Sequence, residues 1–308
     1  MAAICPLRPY PRPAMDQSPR IALGISYHGQ HYHGWQSQPD GQTVQDRLEQ
    51  ALRQFIGQPV STLCAGRTDA GVHGLMQVVH FDSPVQRTPM SWVRGTNRYL
   101  PGDIAVQWAR SVPSHFHARN HALSRRYVYV VLQSAVRPSV DAGRVGWTFL
   151  PLDAQAMREA ASHLLGEHDF SSFRAAACQS HTPIKQLQAI RISATPLRQQ
   201  HPVAGPDERA VPSCYWRFEF EANAFLHHMI RNIMGCLLHI GQGQQAPHWM
   251  LQVLQARSRA AAAPTFSPDG LYFIGPRYAP HWGLPESCAL LDFLPGGPLG
   301  SAQEDCLP

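Results

Sequence analysis

The sequence predicts an α+β fold of two ferredoxin-like (split βαβ) modules with a cleft between them. Three observations predict it. Strand-like and helix-like segments follow one another as β-α-β-β-α-β up to residue 118. A second α+β half of similar make-up occupies 119–280, with no short-period repeat. A length of 308 residues, 44% of them hydrophobic and 15% charged, suits two modules with buried cores.

The first module, 20–118, opens with "IALGISY", where Ile21, Leu23, Ile25 and Tyr27 alternate as in a half-buried strand. The next helix starts at Thr43, with Asp46 in a capping-box position. It carries Val44, Leu48, Leu52 and Phe55 as its apolar stripe and ends at Gly57. Strand-like "VSTLCA", the loop "GRTDAGVHG", strand-like "MQVVHF", a helix around "MSWVRGTNRYL" and strand-like "DIAVQWA" complete the module.

The second module begins with the alternating "SRRYVYVVLQ" and holds a helix in "DAQAMREAASHLLG". Strands "IKQLQAIRIS" and "CYWRFEFEA" flank a polar, proline-bearing loop. "FLHHMIRNIMGCLLHIGQG" reads as a helix that buries Met229, Ile233, Leu237 and Ile240, while His228 and Arg231, three apart, share another face. Residues 1–19 carry Pro6, Pro9, Pro11, Pro13 and Pro19, which exclude a helix, and 281–308 are equally loose. Both are expected to be flexible tails.

Composition bounds the function. No apolar run approaches the ~20 residues of a membrane span, and the N-terminus lacks a secretory apolar core, so a cytoplasmic protein with no membrane partner is expected. Seven cysteines, odd in number, scattered and never spaced C-x-x-C, read as reduced thiols. A net charge of +5 permits a nucleic-acid partner. Lys185 is the only lysine, so the positive charge is arginine, whose planar fork suits phosphate and stacks on bases.

"GRTDAG" has the glycine spacing of a phosphate loop, but Val72 and His73 stand where Lys and Ser/Thr are needed. The pairs His31/His33, His115/His117 and His227/His228 lack a matching carboxylate or thiolate pattern, so no metal site is expected and most of these read as polar loop or surface groups. No G-x-S-x-G elbow is present. Asp69 remains. It could be an Asx-turn or cap residue with Arg67 as a solvated neighbour. Alternatively it is functional: its loop joins two strands, Gly66, Gly71 and Gly74 let backbone approach a ligand, and a nearby arginine favours the charged carboxylate that a nucleophile or base needs.

These residues carry a resemblance. "GRTDAGVHG", preceded by "YHGQHYHGWQSQ" and "TVQDRLE" and followed in order by "LPGDIAV", "FHARNHALSRRYVY", "HDFSSFR", "ANAFLHHMIRNIMG" and "GLYF", resembles the tRNA pseudouridine synthase A family from about Ile21 to Tyr278. The resemblance implies a pseudouridine-synthase-type sheet with a central RNA-binding cleft. It implies an isomerase that turns uridine into pseudouridine in the anticodon stem-loop of tRNA, at tRNA positions 38, 39 and 40. Substrate and product have the same composition, so no cofactor is implied. Asp69 would be the catalytic carboxylate, by attack on C1′, addition to the base or a glycal route.

By the same resemblance, Arg67 would pair with Asp69 and help displace the target nucleotide. Arg231 would hold the carboxylate or a phosphate across the cleft, and Tyr127 would stack on the extruded uracil. Phe116, His117, Arg119 and Asn120 in "FHARN", with Cys178, Gln179, Ser180 and His181 in "CQSH", would contact RNA by phosphate binding and ring stacking. A homodimer is implied, one subunit gripping the tRNA and presenting it to the other. The chain departs from the family pattern at His181, where arginine is expected, at His28 in place of an aspartate, and at Phe273, often leucine. A non-catalytic RNA-binding module is argued against by Arg67, Asp69, Tyr127 and Arg231 occurring together. An N-glycosidase would want a second carboxylate to activate water.

Overall fold

Alternating side chains build the first half of the sheet. Strand β1 (Arg20–Tyr27) sends Ile21, Leu23 and Ile25 into one cluster and Ala22 into another, because successive residues face opposite sides. Helix α1 (Val44–Ile56) follows. Thr43 accepts the Asp46 N–H at 3.3 Å and donates its hydroxyl to the Asp46 carboxylate at 2.5 Å, and Gly57 ends the helix in the left-handed region at φ 84°. Val44, Leu48 and Leu52 are wholly buried against the sheet.

Strands β2 (Leu63–Cys64) and β3 (His73–Asp82), helix α2 (Pro89–Asn97) and strand β4 (Ile104–Val112) complete the module. The order is β4-β1-β3, with β2 on the outer edge of β3, which is the split βαβ arrangement. "VSTLCA" yields only a two-residue strand.

The second half repeats the plan. It consists of β5 (Ala122–Gln133), β6 (Gly146–Thr148), α3 (Ala154–Ser162), β7 (Gly166–Asp169), β8 (Ile184–Pro196), β9 (Cys214–Ala222), α4 (Met229–Gly241), α5 (Trp249–Ala256) and β10 (Leu271–Tyr278). The order β10-β5-β9-β8 reproduces the pattern of the first module, with β7 beyond β8 and β6 beside β5. Strand β10 has no alternating signature in the sequence. It pairs parallel to β3 at Tyr272–His73 and Phe273–Gly74 and antiparallel to β5 at Phe273–Tyr127, so one ten-stranded sheet spans both halves.

The seam fixes the site. Because Gly74, Phe273 and Tyr127 lie side by side across it, the loop ahead of β3 hangs over β5 and the helices of the second module. Val72 of that loop is buried in the same cluster as Tyr127, Phe273 and Met229. Helix α4 starts at Met229, later than "FLHHMIRN…" suggested. His228 adopts φ 62° and turns the chain ahead of the helix, which the 3.6-residue pattern cannot reveal.

The structure, a computed structural model, describes residues 19–197 and 213–285. The N-terminal tail to 18, most of the β8–β9 loop, and the C-terminal segment from 286 lie outside the described residues. Trp282 and Leu284, which a boundary at 280 assigns to the tail, pack against the cluster of Trp108, Phe116 and Ala118. Among the described residues Cys64, Cys178, Cys214 and Cys236 are unpaired, and no helix is long and apolar enough to cross a membrane.

Candidate active site

The loop that carries Asp69 is tied down residue by residue. Ala65 and Gly66 offer their carbonyls to the Arg125 guanidinium and to Gln77 Nε2, the latter at 2.6 Å. Thr68 is buried, with its hydroxyl 2.8 Å from the Tyr27 hydroxyl and its carbonyl accepting the Trp35 N–H at 3.0 Å. A turn follows, in which the Val72 N–H donates to the Asp69 carbonyl at 3.2 Å. Gly34, at φ 88°, lies so close beneath that a Cβ there would come within 2.7 Å of the Thr68 carbonyl oxygen.

This scaffold leaves the Asp69 side chain unused by the loop. No backbone N–H among the described residues donates to its carboxylate, so the Asx-turn or cap reading does not account for it. The carboxylate, 19% exposed, meets groups from the other module instead. Arg231 Nη1 on α4 donates to Oδ2 at 3.3 Å, while Arg231 Nε is anchored on the Phe266 carbonyl at 2.9 Å. His227 Nε2 stands 3.5 Å from Oδ1 and His228 Nε2 stands 3.6 Å from Oδ2.

The sequence pattern around His227 and His228 assigns neither a role at the carboxylate. The turn ahead of α4 brings both to the carboxylate, and the shared face of His228 and Arg231 was the signal that could have found one of them. Burial pulls the His228 imidazole below its ordinary 6.5, against the opposing pull of Asp69.

Tyr127 forms the floor. Its ring lies 4.9 Å from that of Phe273 and 5.2 Å from that of Phe225, and its hydroxyl points to the Arg67 carbonyl at 3.5 Å. Burial lifts its phenol well above 10, so the group is a neutral donor at physiological pH. The pairing expected between Arg67 and Asp69 is not formed. Arg67 is exposed at the cleft mouth and donates to Gln179 Oε1 at 3.1 Å, and the pairing falls to Arg231.

The cleft encloses about 880 Å³. Arg67, Arg119, Arg125, Lys185 and Arg231 line it, and Asp69 is the one carboxylate among its described lining residues. Asn120, Cys178, Gln179, Ser180 and His181 also line it. Phe116 needs correction: its ring is wholly buried, 5.4 Å from Tyr278 and 5.0 Å from Trp282, and offers no surface for stacking on a base. His117 Nδ1 accepts the N–H groups of Arg119 and Asn120 at 3.2 and 3.3 Å, so it shapes the loop that presents them.

Two fused split-βαβ units, with one carboxylate among the described residues lining an arginine-rich cleft, suit a protein that does chemistry on a polyanion. The comparisons with known proteins make the class specific. The family model described as tRNA pseudouridine synthase matches residues 24–119 and 160–279, and the chain belongs to that family. It is 67% identical over 277 residues to the tRNA pseudouridine synthase A of Paracidovorax citrulli, covering 90% of this chain and 100% of the relative. The proteins of the same name from Acidovorax sp. strain JS42 and Delftia acidovorans are 66% and 63% identical, with the same coverage of each chain. A solved archaeal box H/ACA sRNP Nop10-Cbf5 complex aligns at 9% identity over 78% of this chain and 59% of that chain; its TM-score of 0.28 is too low to carry an argument.

Proposed function

We propose that this chain is a tRNA pseudouridine synthase that isomerises uridine in the anticodon stem-loop, at tRNA positions 38, 39 and 40, with Asp69 as the catalytic carboxylate. The bond from ribose C1′ to uracil N1 breaks, the base turns, and C5 joins C1′. The proton lost from C5 balances the one gained at N1, so no redox or group-transfer partner enters. The observation that carries the reading is the Asp69 carboxylate itself, free of its own loop and facing a basic cleft with Arg231 on one oxygen. Family membership and relatives of that name support the substrate.

The roles divide by position. Tyr127 stacks on the extruded uracil, Arg231 orients the carboxylate, and Arg67, at the cleft mouth, helps displace the target nucleotide. Arg119 and Asn120 on one wall and Gln179, Ser180 and His181 on the other hold the RNA backbone. The enzyme works as a cytoplasmic homodimer in which one subunit grips the tRNA and presents it to the other.

Hydrolytic release of uracil fits the cleft less well, because Asp69 has no second carboxylate beside it among the described lining residues. Liquid chromatography of tRNA digested after incubation with the protein separates the outcomes. Pseudouridine at the expected positions supports the reading; free uracil or unchanged uridine overturns it.

A further inference from the structure

Two histidines flank Asp69 at a spacing that the isomerisation does not explain. His227 Nε2 is 3.5 Å from Oδ1 and His228 Nε2 is 3.6 Å from Oδ2, and a donor atom from each of the three residues lies within 4.8 Å of the others. A hydrogen bond would draw such atoms to about 2.7–3.2 Å. Ligands on one zinc ion, bound at about 2.0–2.2 Å, stand roughly 3.3–3.5 Å apart around a tetrahedron. The observed gaps, one to each carboxylate oxygen, are longer than hydrogen bonds, and the three donor atoms lie within 4.8 Å of one another, near enough to converge on one ion.

The backbone is arranged for convergence. Consecutive residues on a strand or helix point their side chains in different directions. Here His228 takes φ 62°, a left-handed conformation that costs a non-glycine residue about 1 kcal/mol or more, and both rings reach the same carboxylate with centroids 4.0 Å apart. The ligands come from both modules: Asp69 from the loop ahead of β3, the histidines from the turn ahead of α4.

We propose that Asp69, His227 and His228 form a site for a divalent transition-metal ion, zinc(II) foremost, and that the bound ion masks the carboxylate and reversibly inhibits the enzyme. Two imidazoles and a carboxylate suit zinc, whereas magnesium and calcium favour all-oxygen sites. Arg231 touches only Oδ2 and is tethered to Phe266, so Oδ1 stays open to an ion. Its positive charge weakens the site, which keeps binding reversible.

Binding does not depend on the proposed reaction; the inhibition does, since it rests on Asp69 being the catalytic carboxylate. The full chain, freed of metal by chelation, is titrated with zinc(II) against a chromophoric chelator. Pseudouridine formation is followed across the same zinc range and after chelator is added back. The wild type is expected to take up one ion that excess magnesium does not displace. His227→Ala and His228→Asn are expected to weaken uptake at least tenfold, asparagine being chosen because it tolerates the left-handed backbone. Zinc should suppress conversion, and chelator should restore it. Uptake that is absent, or equal in the wild type and both variants, overturns the site, the latter assigning the ion to other histidines such as His115 and His121. Site-specific uptake without loss of conversion would leave the ion site standing and count against Asp69 as the catalytic group.

Discussion

Lowering the pH should unfasten the base of the Asp69 loop through His73. This residue opens β3, four positions after Asp69, and both ring nitrogens are committed. Nδ1 accepts the Gly29 N–H at 3.1 Å and Nε2–H donates to the Gly143 carbonyl at 2.9 Å, so the neutral ring is satisfied and a proton on Nδ1 would break the first bond. The rings of His28 and Tyr272 pack against it at 4.4 and 4.7 Å.

Burial, opposed in part by the Gly143 bond and by Asp269 and reinforced by His28 and Arg144, lowers the imidazole from 6.5 to about 4. The sign follows from that depression. Above 6.5 the ring is neutral whether folded or not; below it the unfolded chain takes a proton that the fold refuses until about pH 4. Stability is therefore fully present above about pH 6.5 and is lost as the pH falls toward 4, by roughly 1–2 kcal/mol at ~pH 5.5 and roughly 2–3 kcal/mol at ~pH 4.5.

Urea unfolding followed by tryptophan fluorescence, for wild type and His73→Asn over this range, measures the effect. Asparagine can still accept from Gly29 but does not titrate. Other groups, His80 among them, are common to both proteins and cancel in the difference. The advantage of wild type over the variant should shrink by roughly 2–3 kcal/mol between ~pH 7.5 and ~pH 4.5. Parallel stability curves would refute the reasoning.

Arg125→Met should cost about 2–4 kcal/mol in urea unfolding, because the guanidinium serves the carbonyls of Ala65, Arg119, Ala122 and Asn223 and ties both modules to the loop. Arg125→Lys, with one point charge in place of a fork, should recover only part of that. Gly34→Ala puts a Cβ against the Thr68 carbonyl at a positive φ, so a destabilisation of roughly 1–3 kcal/mol is expected, with a fall in conversion under conditions where the variant remains folded. Binding of tRNA should weaken with salt by roughly one log unit per tenfold salt for each phosphate neutralised, as a filter-binding titration would measure; a flat response would remove the arginine-lined cleft as the docking surface.

How much of this was legible in the sequence depends on whether the signal was local. Thr43, Asp46 and Gly57 bound helix α1 as capping chemistry demands, and the alternation of Ile21, Leu23 and Ile25 marked β1. Both signals sit within a few residues of the structure they specify. Strand β10 was missed because "LYFIGPRY" is buried on both faces at its start and then interrupted by Gly275 and Pro276, which leaves no alternation to count. The β3 edge is shared: β2 pairs with it at Val79 and His80, and β10 pairs with it at His73 and Gly74.

The site divides the same way. Asp69 stood out through its loop, and Arg231 through the resemblance. The approach of His227 and His228 depends on a left-handed residue and on a contact across 158 and 159 positions of sequence, which no period reports. Phe116 misled because an aromatic ring beside Arg119 looks the same in sequence whether it faces RNA or, as here, Tyr278 and Trp282.

The measurement that bears most directly on the central claim is single-turnover pseudouridine formation by Asp69→Asn at saturating enzyme, with tRNA binding and thermal melting followed on the same preparation. Asparagine nearly preserves the volume, its amide oxygen can still accept from Arg231, and Arg125, Gln77, Tyr27 and Trp35 hold the rest of the loop, so folding should be retained. Because the lost charge acts on the reacting nucleotide, conversion should be essentially abolished while tRNA affinity stays close to wild type. Near wild-type turnover by a folded, tRNA-binding Asp69→Asn protein would contradict the account.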